Sequence, residues 1–303
     1  EELGAVKRLA NDEGLELEAI ENIDPSFWSD ILLGGRRKRQ QLEALKGLLR
    51  SMGRLRIPIL GYNFSLAGVW GRRSAPVARG GAVAPAFSAG HPSQDEPLPR
   101  GQLNNIIYED TSAPGPIAPV TSEELWARFG EFLKELLPVA EAEGVRLAAH
   151  PDDPPVPELR QTPRLLHQPE HFDRLLDLVP SPANAIEFCA GTVQEMSEGD
   201  LCETAERLAR RGAIAYVHCR NVAGKVPEYR ETFIDDGDAD MLRLLRVLHR
   251  AGFQGVVIPD HAPEMACGAP WHAGMAHALG FLRAALMSLE PAPSRAGLSG
   301  CAE

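Results

Sequence analysis

The sequence predicts an α/β barrel of the (β/α)8, or TIM, type whose first one or two strands are absent from this chain. Apolar runs of strand length alternate with helical patterns along most of the 303 residues. Four of those runs also end on a residue able to bind a metal ion: RLAAHPD (146–152), AIEFC (185–189), AYVHC (215–219) and VVIPDH (256–261). Their richness in Val, Ile, Leu, Ala and Phe suits strands buried on both faces. In a barrel of parallel strands the C-terminal ends gather on one face, where such folds build active sites. His150, Cys189, His218 and Asp260 would then converge.

Taken in order, GAVKRLANDEGLE reads as a helix ended by Gly14, and LELEAIE (15–21) as the first strand. A helix rich in Arg and Leu follows from about Arg37 to Met52, then the strand IPILGYN (57–63). Residues 65–120 are rich in Gly, Pro, Ala and Ser, and Trp70 and Tyr108 are their weak aromatic anchors. They read as one long loop of the kind that covers an active site or is disordered. Thr121 to Glu124 forms a capping box, and the helix behind it runs to about Glu143 before Gly144. Further helices are expected near 169–179, 200–211, 238–251 and 272–287. Residues 1–287 thus read as a single catalytic domain, and residues 288–303 as a disordered tail. Six strands are countable where a closed barrel needs eight, and no GxGxxG turn points to a dinucleotide fold. The missing initial Met and abrupt helical start are what suggest an N-terminally incomplete chain.

Composition narrows the class of function. A net charge of −11 disfavours a nucleic-acid partner, because neutralising phosphates requires a basic face. The run Arg36-Arg37-Lys38-Arg39 reads as a solvated helix start. No apolar stretch approaches the ~20 residues of a membrane span, and the first residues lack a signal-peptide pattern. Five cysteines without a CxxC form no disulfide framework, so a cytoplasmic, reducing location is expected.

A single buried His or Cys is ordinarily a core residue. Recurrence at four successive strand ends is what points to a divalent metal site, and thiolate with imidazole suits Fe(II), Zn or Co, with Mn reached through carboxylate and water ligands. The residues beyond the ligands look like a substrate shell. Asp152 follows His150, while Arg220 and Asn221 follow His218. Tyr62 and Asn63 end their strand, with Trp70 and Arg72 beyond. A guanidinium is the natural partner of a substrate carboxylate. His261, next to Asp260, is a candidate general acid or base. For Arg220 and Arg72 the competing reading is a plain salt bridge, and for Asp152 a turn cap.

The motifs GYNFxxxxVWGR (61–72), AHPDDPP (149–155), TPR (162–164), CxGTxxEM (189–196), HCRNV (218–222), DDGDxDM (235–241) and GFxGVxIPDH (252–261) resemble the mannonate dehydratase family. The likeness runs from about residue 5 to residue 287. It implies a TIM-barrel lyase that uses Mn2+ or Fe2+ to remove water from D-mannonate, giving 2-keto-3-deoxy-D-gluconate in hexuronate breakdown. It also implies metal ligands at His150, Cys189, His218 and Asp260, the acid/base at His261, Arg164 among the substrate-binding residues, and a homo-oligomer. Two departures stand out. Many members read FDWTRT where this chain has GVWGRR (68–73), which puts Val69 in place of an aspartate. Members also carry a Tyr and, two residues later, an Arg where this chain has Met275 and His277, so the Tyr role is either vacant or passed to a group such as His272, Tyr62 or His277. Two rival readings are a xylose-isomerase-like isomerase or epimerase, and a non-catalytic sugar-acid-binding paralogue. The thiolate and the single strand-end carboxylate disfavour the first, and a complete ligand set disfavours the second.

Overall fold

A computed structural model describes residues 2–108 and 115–289. Six parallel strands form its central sheet: β1 (Ala19–Ile20), β2 (Ile59–Tyr62), β3 (Arg146–Ala149), β4 (Asn184–Cys189), β5 (Ile214–His218) and β6 (Val257–Ile258). Each pairs with the strand before and after it in sequence, and β1 and β6 are the two edges. Among the described residues the sheet is an open half-barrel. All six are the runs that the sequence marks as strands. The expected tail from residue 290 onward lies outside the described residues.

The helices follow the apolar spacing. They are α1 (Glu2–Asp12), α2 (Ser29–Leu33), α3 (Lys38–Leu55), α4 (Ser122–Glu143), α5 (Glu170–Leu178), α6 (Ala190–Glu195), α7 (Leu201–Arg210), α8 (Met241–Arg250) and α9 (Pro270–Met287). On α3 the buried Leu42, Leu45, Leu49 and Met52 recur at helical spacing and form one stripe facing the core. The capping box of α4 is complete: Glu124 N–H donates to Thr121 Oγ1 at 3.2 Å, and Thr121 N–H donates to Glu124 Oε2 at 2.8 Å. Gly144 closes that helix at φ 67°, the left-handed conformation that lacks a Cβ penalty in glycine. Phe64, after β2, stacks on Phe129 of α4 with ring centroids 4.3 Å apart, tying sheet to helix layer. No described helix is long and apolar enough to cross a membrane.

Residues 65–120 are not one irregular loop. Arg72–Ala75 and Ala84–Ser88 pair antiparallel, and Ala84–Ser88 pairs in turn with Glu228–Thr232 of a second hairpin, Asn221–Lys225 with Glu228–Thr232. The resulting four-stranded sheet carries Arg72, Tyr229 and Glu231 to the C-terminal ends of the barrel strands, as their contacts below show. The signal was weak because these strands are short, and Arg72–Ala75 lacks any buried residue.

Thr121→Ala removes one half of the capping box, which should cost about 1 kcal/mol and lower Tm by about 2 °C. Calorimetry checks this, and an unchanged Tm would mean that the cap is not contributing to stability.

Candidate metal centre

The register of the sheet decides what meets at its C-terminal edge. Tyr62 pairs with Ala149, Ala149 with Ile186, Cys189 with His218, and His218 with Ile258. His150, one residue past β3, therefore lies beside the ends of its neighbours. One ligand atom each from His150, Cys189 and His218 falls within a mutual 4.8 Å, close enough to surround one ion. Asp260 stands beside this trio, not within it: its Oδ1 is 3.7 Å from His218 Nδ1 and its Oδ2 is 3.2 Å from Arg220 Nε. Asp260 adopts φ 66°, a backbone conformation costly for a residue with a side chain and concentrated at functional sites. Side chains alternate along a strand, so Glu187 shares the face of Cys189, and Tyr216 that of His218. Glu21, Glu187 and His218 accordingly make a second mutually close group.

The donor set fits a divalent cation. Neither ring nitrogen of the buried His218 completes a hydrogen bond of good geometry within the protein, the condition of an imidazole waiting for a ligand. Burial opposes the Cys189 thiolate, but the Arg220 guanidinium, with Nη2 3.5 Å from Sγ, and both imidazoles hold its pKa well below the ordinary thiol value. Burial likewise opposes charge on His150, and Glu187 with Cys189 outweighs it, lifting its pKa to about 9. His218 is lifted against burial to about 11, mainly by Cys189 and Glu21. Desolvation raises Glu187 to about 7 despite both histidines. The centre is thus a concentration of negative charge balanced by imidazole protons, which a metal ion would displace.

Arg220 organises everything around it. Its side chain is 1% exposed. It donates through Nη1 to Glu195 at 2.9 Å and to Glu231 at 2.8 Å, and through Nη2 to Asp153 at 2.8 Å and Thr192 at 3.0 Å. Arg72 reaches the same carboxylates from the antiparallel sheet, with Nη1 3.0 Å from Asp153 and 2.8 Å from Glu231. Tyr229 donates its hydroxyl to Asp153 at 2.9 Å. Glu231 in turn holds His261, whose Nδ1 lies 2.7 Å from Oε2, and His261 Nε2 lies 3.5 Å from Asp260. A cavity of about 420 Å³ opens onto this cluster, lined among others by Tyr62, Asn63, Arg72, His150 and His261.

Comparison with known proteins decides which family this geometry belongs to. The sequence model of D-mannonate dehydratase (UxuA) matches residues 116–283, more than half of the chain. The chain belongs to the D-mannonate dehydratase family. It is 29% identical over 272 residues to the mannonate dehydratase of Streptococcus pneumoniae, covering 84% of this chain and 72% of that one. Mannonate dehydratase 2 of Halalkalibacterium halodurans is also 29% identical over 272 residues, with 86% and 78% covered. The crystal structure of the mannonate dehydratase from Streptococcus suis serotype 2 superposes with a TM-score of 0.78 at 26% identity, covering 99% of this chain and 86% of that one. An L-ribulose 3-epimerase, at TM-score 0.56 and 16% identity, shares the fold alone.

Within this mannonate dehydratase family member, several expected substrate contacts have their polar groups engaged by other parts of the chain. Arg220 has its Nη donors engaged by buried partners and does not line the cavity, so it supports the site from behind. Asp152 accepts the Leu165 and Leu166 N–H groups at 2.8 Å each and pairs with Arg164 at 3.1 Å. Arg164 spends its other donors on Ser65 Oγ and Gly68 O, so this pair caps a turn. Asn221 donates to Ile234 O and Ala239 O and accepts from Val222 and Ala239 N–H, fastening a loop. Trp70 lines a neighbouring cavity, and Arg160 stacks over its ring at 4.1 Å. Tyr62, Asn63, Arg72 and His261 do line the cavity, and the Tyr62 hydroxyl is buried without a partner. Arg72 lends Nη1 to carboxylates and keeps Nε and Nη2 free of protein acceptors among the described residues. Of the stand-ins for the family's Tyr, only Tyr62 reaches the cavity. His277 pairs with Asp235 at 3.2 Å, and His272 packs on Trp271.

Sequence reading missed Glu21, Glu187 and Glu231. Glu187 had a usable signal: a carboxylate inside an apolar strand, two residues before Cys189 and so on the same face.

Arg220→Ala would strip Glu195 of its cation and leave Glu231 and Asp153 to Arg72. We expect a loss of about 3–5 kcal/mol in denaturant unfolding, and little rescue by Arg220→Lys, because one ammonium lacks the planar fork. A loss below 1 kcal/mol would show that the carboxylates find other compensation.

Proposed function

We propose that the protein is a metal-dependent sugar-acid dehydratase that converts D-mannonate to 2-dehydro-3-deoxy-D-gluconate and water. The observation that carries this reading is the meeting of His150, Cys189 and His218 beside a cavity that both histidines line, in a chain of this family. These three residues with Asp260 would hold the ion, which we take to be Mn2+ or Fe2+. A bound divalent ion supplies Lewis acidity, stabilising the negative charge that develops on substrate oxygens during elimination.

The chain's own groups account for the rest. Arg72 lines the cavity, has no protein acceptor for Nε or Nη2 among the described residues, and can hold the substrate carboxylate. That carboxylate acidifies the neighbouring C2–H only weakly, so proton removal needs a positioned base. His261 Nδ1 is fixed by Glu231, leaving Nε2 to take or give the proton. As the C2–H bond breaks, its electron pair forms the C2–C3 double bond and expels the C3 hydroxyl, which leaves as water once protonated. The enol then becomes the 2-keto acid. Tyr62 presents its unpartnered hydroxyl to the same cavity and is the best-placed companion group. The reading extends to a role in hexuronate breakdown by a cytoplasmic homo-oligomer.

The test is turnover of D-mannonate with Mn2+ or Fe2+ under reducing conditions, with the product analysed by mass. Product lighter by one water, and loss of both bound metal and turnover in Cys189→Ala, are expected. A product of unchanged mass would indicate an isomerase, and normal turnover in Cys189→Ala would sink the ligand assignment. His261→Gln should keep the metal and lower kcat by about 10²–10⁴-fold. An unchanged kcat would remove His261 from the chemistry.

A further inference from the structure

Glu187 is buried in the middle of β4, and its side chain is 3% exposed. A carboxylate there needs compensation, yet no Arg or Lys of the described chain pairs with it. Its nearest imidazoles stand at ion-pair distance, short of hydrogen-bond alignment in this structure: Oε1 lies 3.2 Å from His218 Nε2 and 3.9 Å from His150 Nε2. Glu21 adds a second oxygen 3.5 Å from the same His218 nitrogen, and Tyr216 donates its hydroxyl to Glu21 at 2.5 Å. The neighbouring strand makes room for this group. A Cβ on Gly61 of β2 would lie 2.7 Å from Glu187 Oε2 and 2.3 Å from the Tyr216 hydroxyl, so only glycine fits. These residues form a built cradle around one edge of one imidazole.

An imidazole that binds a metal through one nitrogen commonly donates the N–H of the other to a carboxylate or carbonyl, which fixes tautomer and ring orientation. His150 follows this pattern with its backbone: Nδ1 is 2.6 Å from Pro151 O, which leaves Nε2 as its lone-pair nitrogen. In His218 the two carboxylates stand at Nε2, while Nδ1 faces Asp260 at 3.7 Å. We propose that Glu187, backed by Glu21 and Tyr216, is a positioning residue that keeps the proton of His218 on Nε2, so that His218 binds the metal ion through Nδ1. This rests on the reading of His218 as a ligand and adds which atom ligates and what holds it. The two histidines would then bind through opposite nitrogens, each oriented by a different kind of acceptor.

The test is Mn2+ affinity of the full chain, stripped of metal and titrated against a competing chelator. Glu187→Leu removes the acceptor and is expected to weaken Mn2+ binding roughly 10–100-fold, with the number of ions bound unchanged. Glu187→Gln keeps an oxygen acceptor and should recover most of that loss. Unchanged affinity in Glu187→Leu overturns the proposal. Equal losses in Leu and Gln variants also overturn it, since the charge and not the hydrogen bond would then be required. Cys189→Ala separates this from failure of the underlying reading: wild-type Mn2+ binding in that variant would discard the ligand set itself, and the proposal with it. A readout free of substitutions covers a Leu variant that does not fold. In the Cd2+-loaded wild-type chain, nitrogen NMR should find His218 protonated at Nε2 and coupled to the metal through Nδ1. Coupling through Nε2 would overturn the proposal.

Discussion

The buried guanidinium of Arg220 is the constraint on which the rest of the centre depends. It sits directly behind Cys189 and carries the charge that lets a thiolate and three carboxylates share a space almost closed to water. Its position is fixed from all sides. A Cβ on Gly191, at the start of α6, would lie 2.8 Å from Arg220 Nε, so the helix can approach only because that residue is glycine. Two of the carboxylates that Arg220 binds pass the order outward: Asp153 to Arg72 and Tyr229, and Glu231 to Arg72 and His261. Because a multiply paired buried charge is costly to disturb, this hub gives the site rigidity where net stability alone gives no reason for it.

The antiparallel sheet is the second requirement. The barrel strands alone bring the candidate ligands together, but Arg72, Tyr229 and Glu231 come from strands that do not belong to the barrel. Chemistry at the cavity therefore depends on two layers meeting through buried ion pairs. This also explains why Arg72 and Arg220, which look alike in sequence, differ in use. Arg220 lies under the layer interface with its Nη donors committed, whereas Arg72 lies at its edge with donors to spare.

The frame of the site was readable in sequence because buried parallel strands are continuous apolar runs, and a His, Cys or Asp at the end of such a run stands out. His150, Cys189 and His218 were visible for that reason, and the fold gathers them. Residues outside that pattern were not. Asp152, Arg164 and Asn221 are polar residues in a conspicuous place, and sequence cannot tell a buried turn fastening from a substrate contact when both need the same hydrogen-bonding groups. Glu231 and Arg72 act through pairings between segments some 159 positions apart, which no local pattern encodes. Glu187 was legible in principle from its strand face, and the apolar residues around it hid it.

X-ray absorption at the metal edge of the Mn2+- or Fe2+-loaded protein tests the central claim most directly, because it reports the atoms around the ion without reference to activity. A first shell holding one sulfur together with nitrogen and oxygen is the predicted result, with Cys189 and the two histidines as its source. A shell of nitrogen and oxygen alone would contradict the account, since Cys189 would then lie beside the ion without binding it.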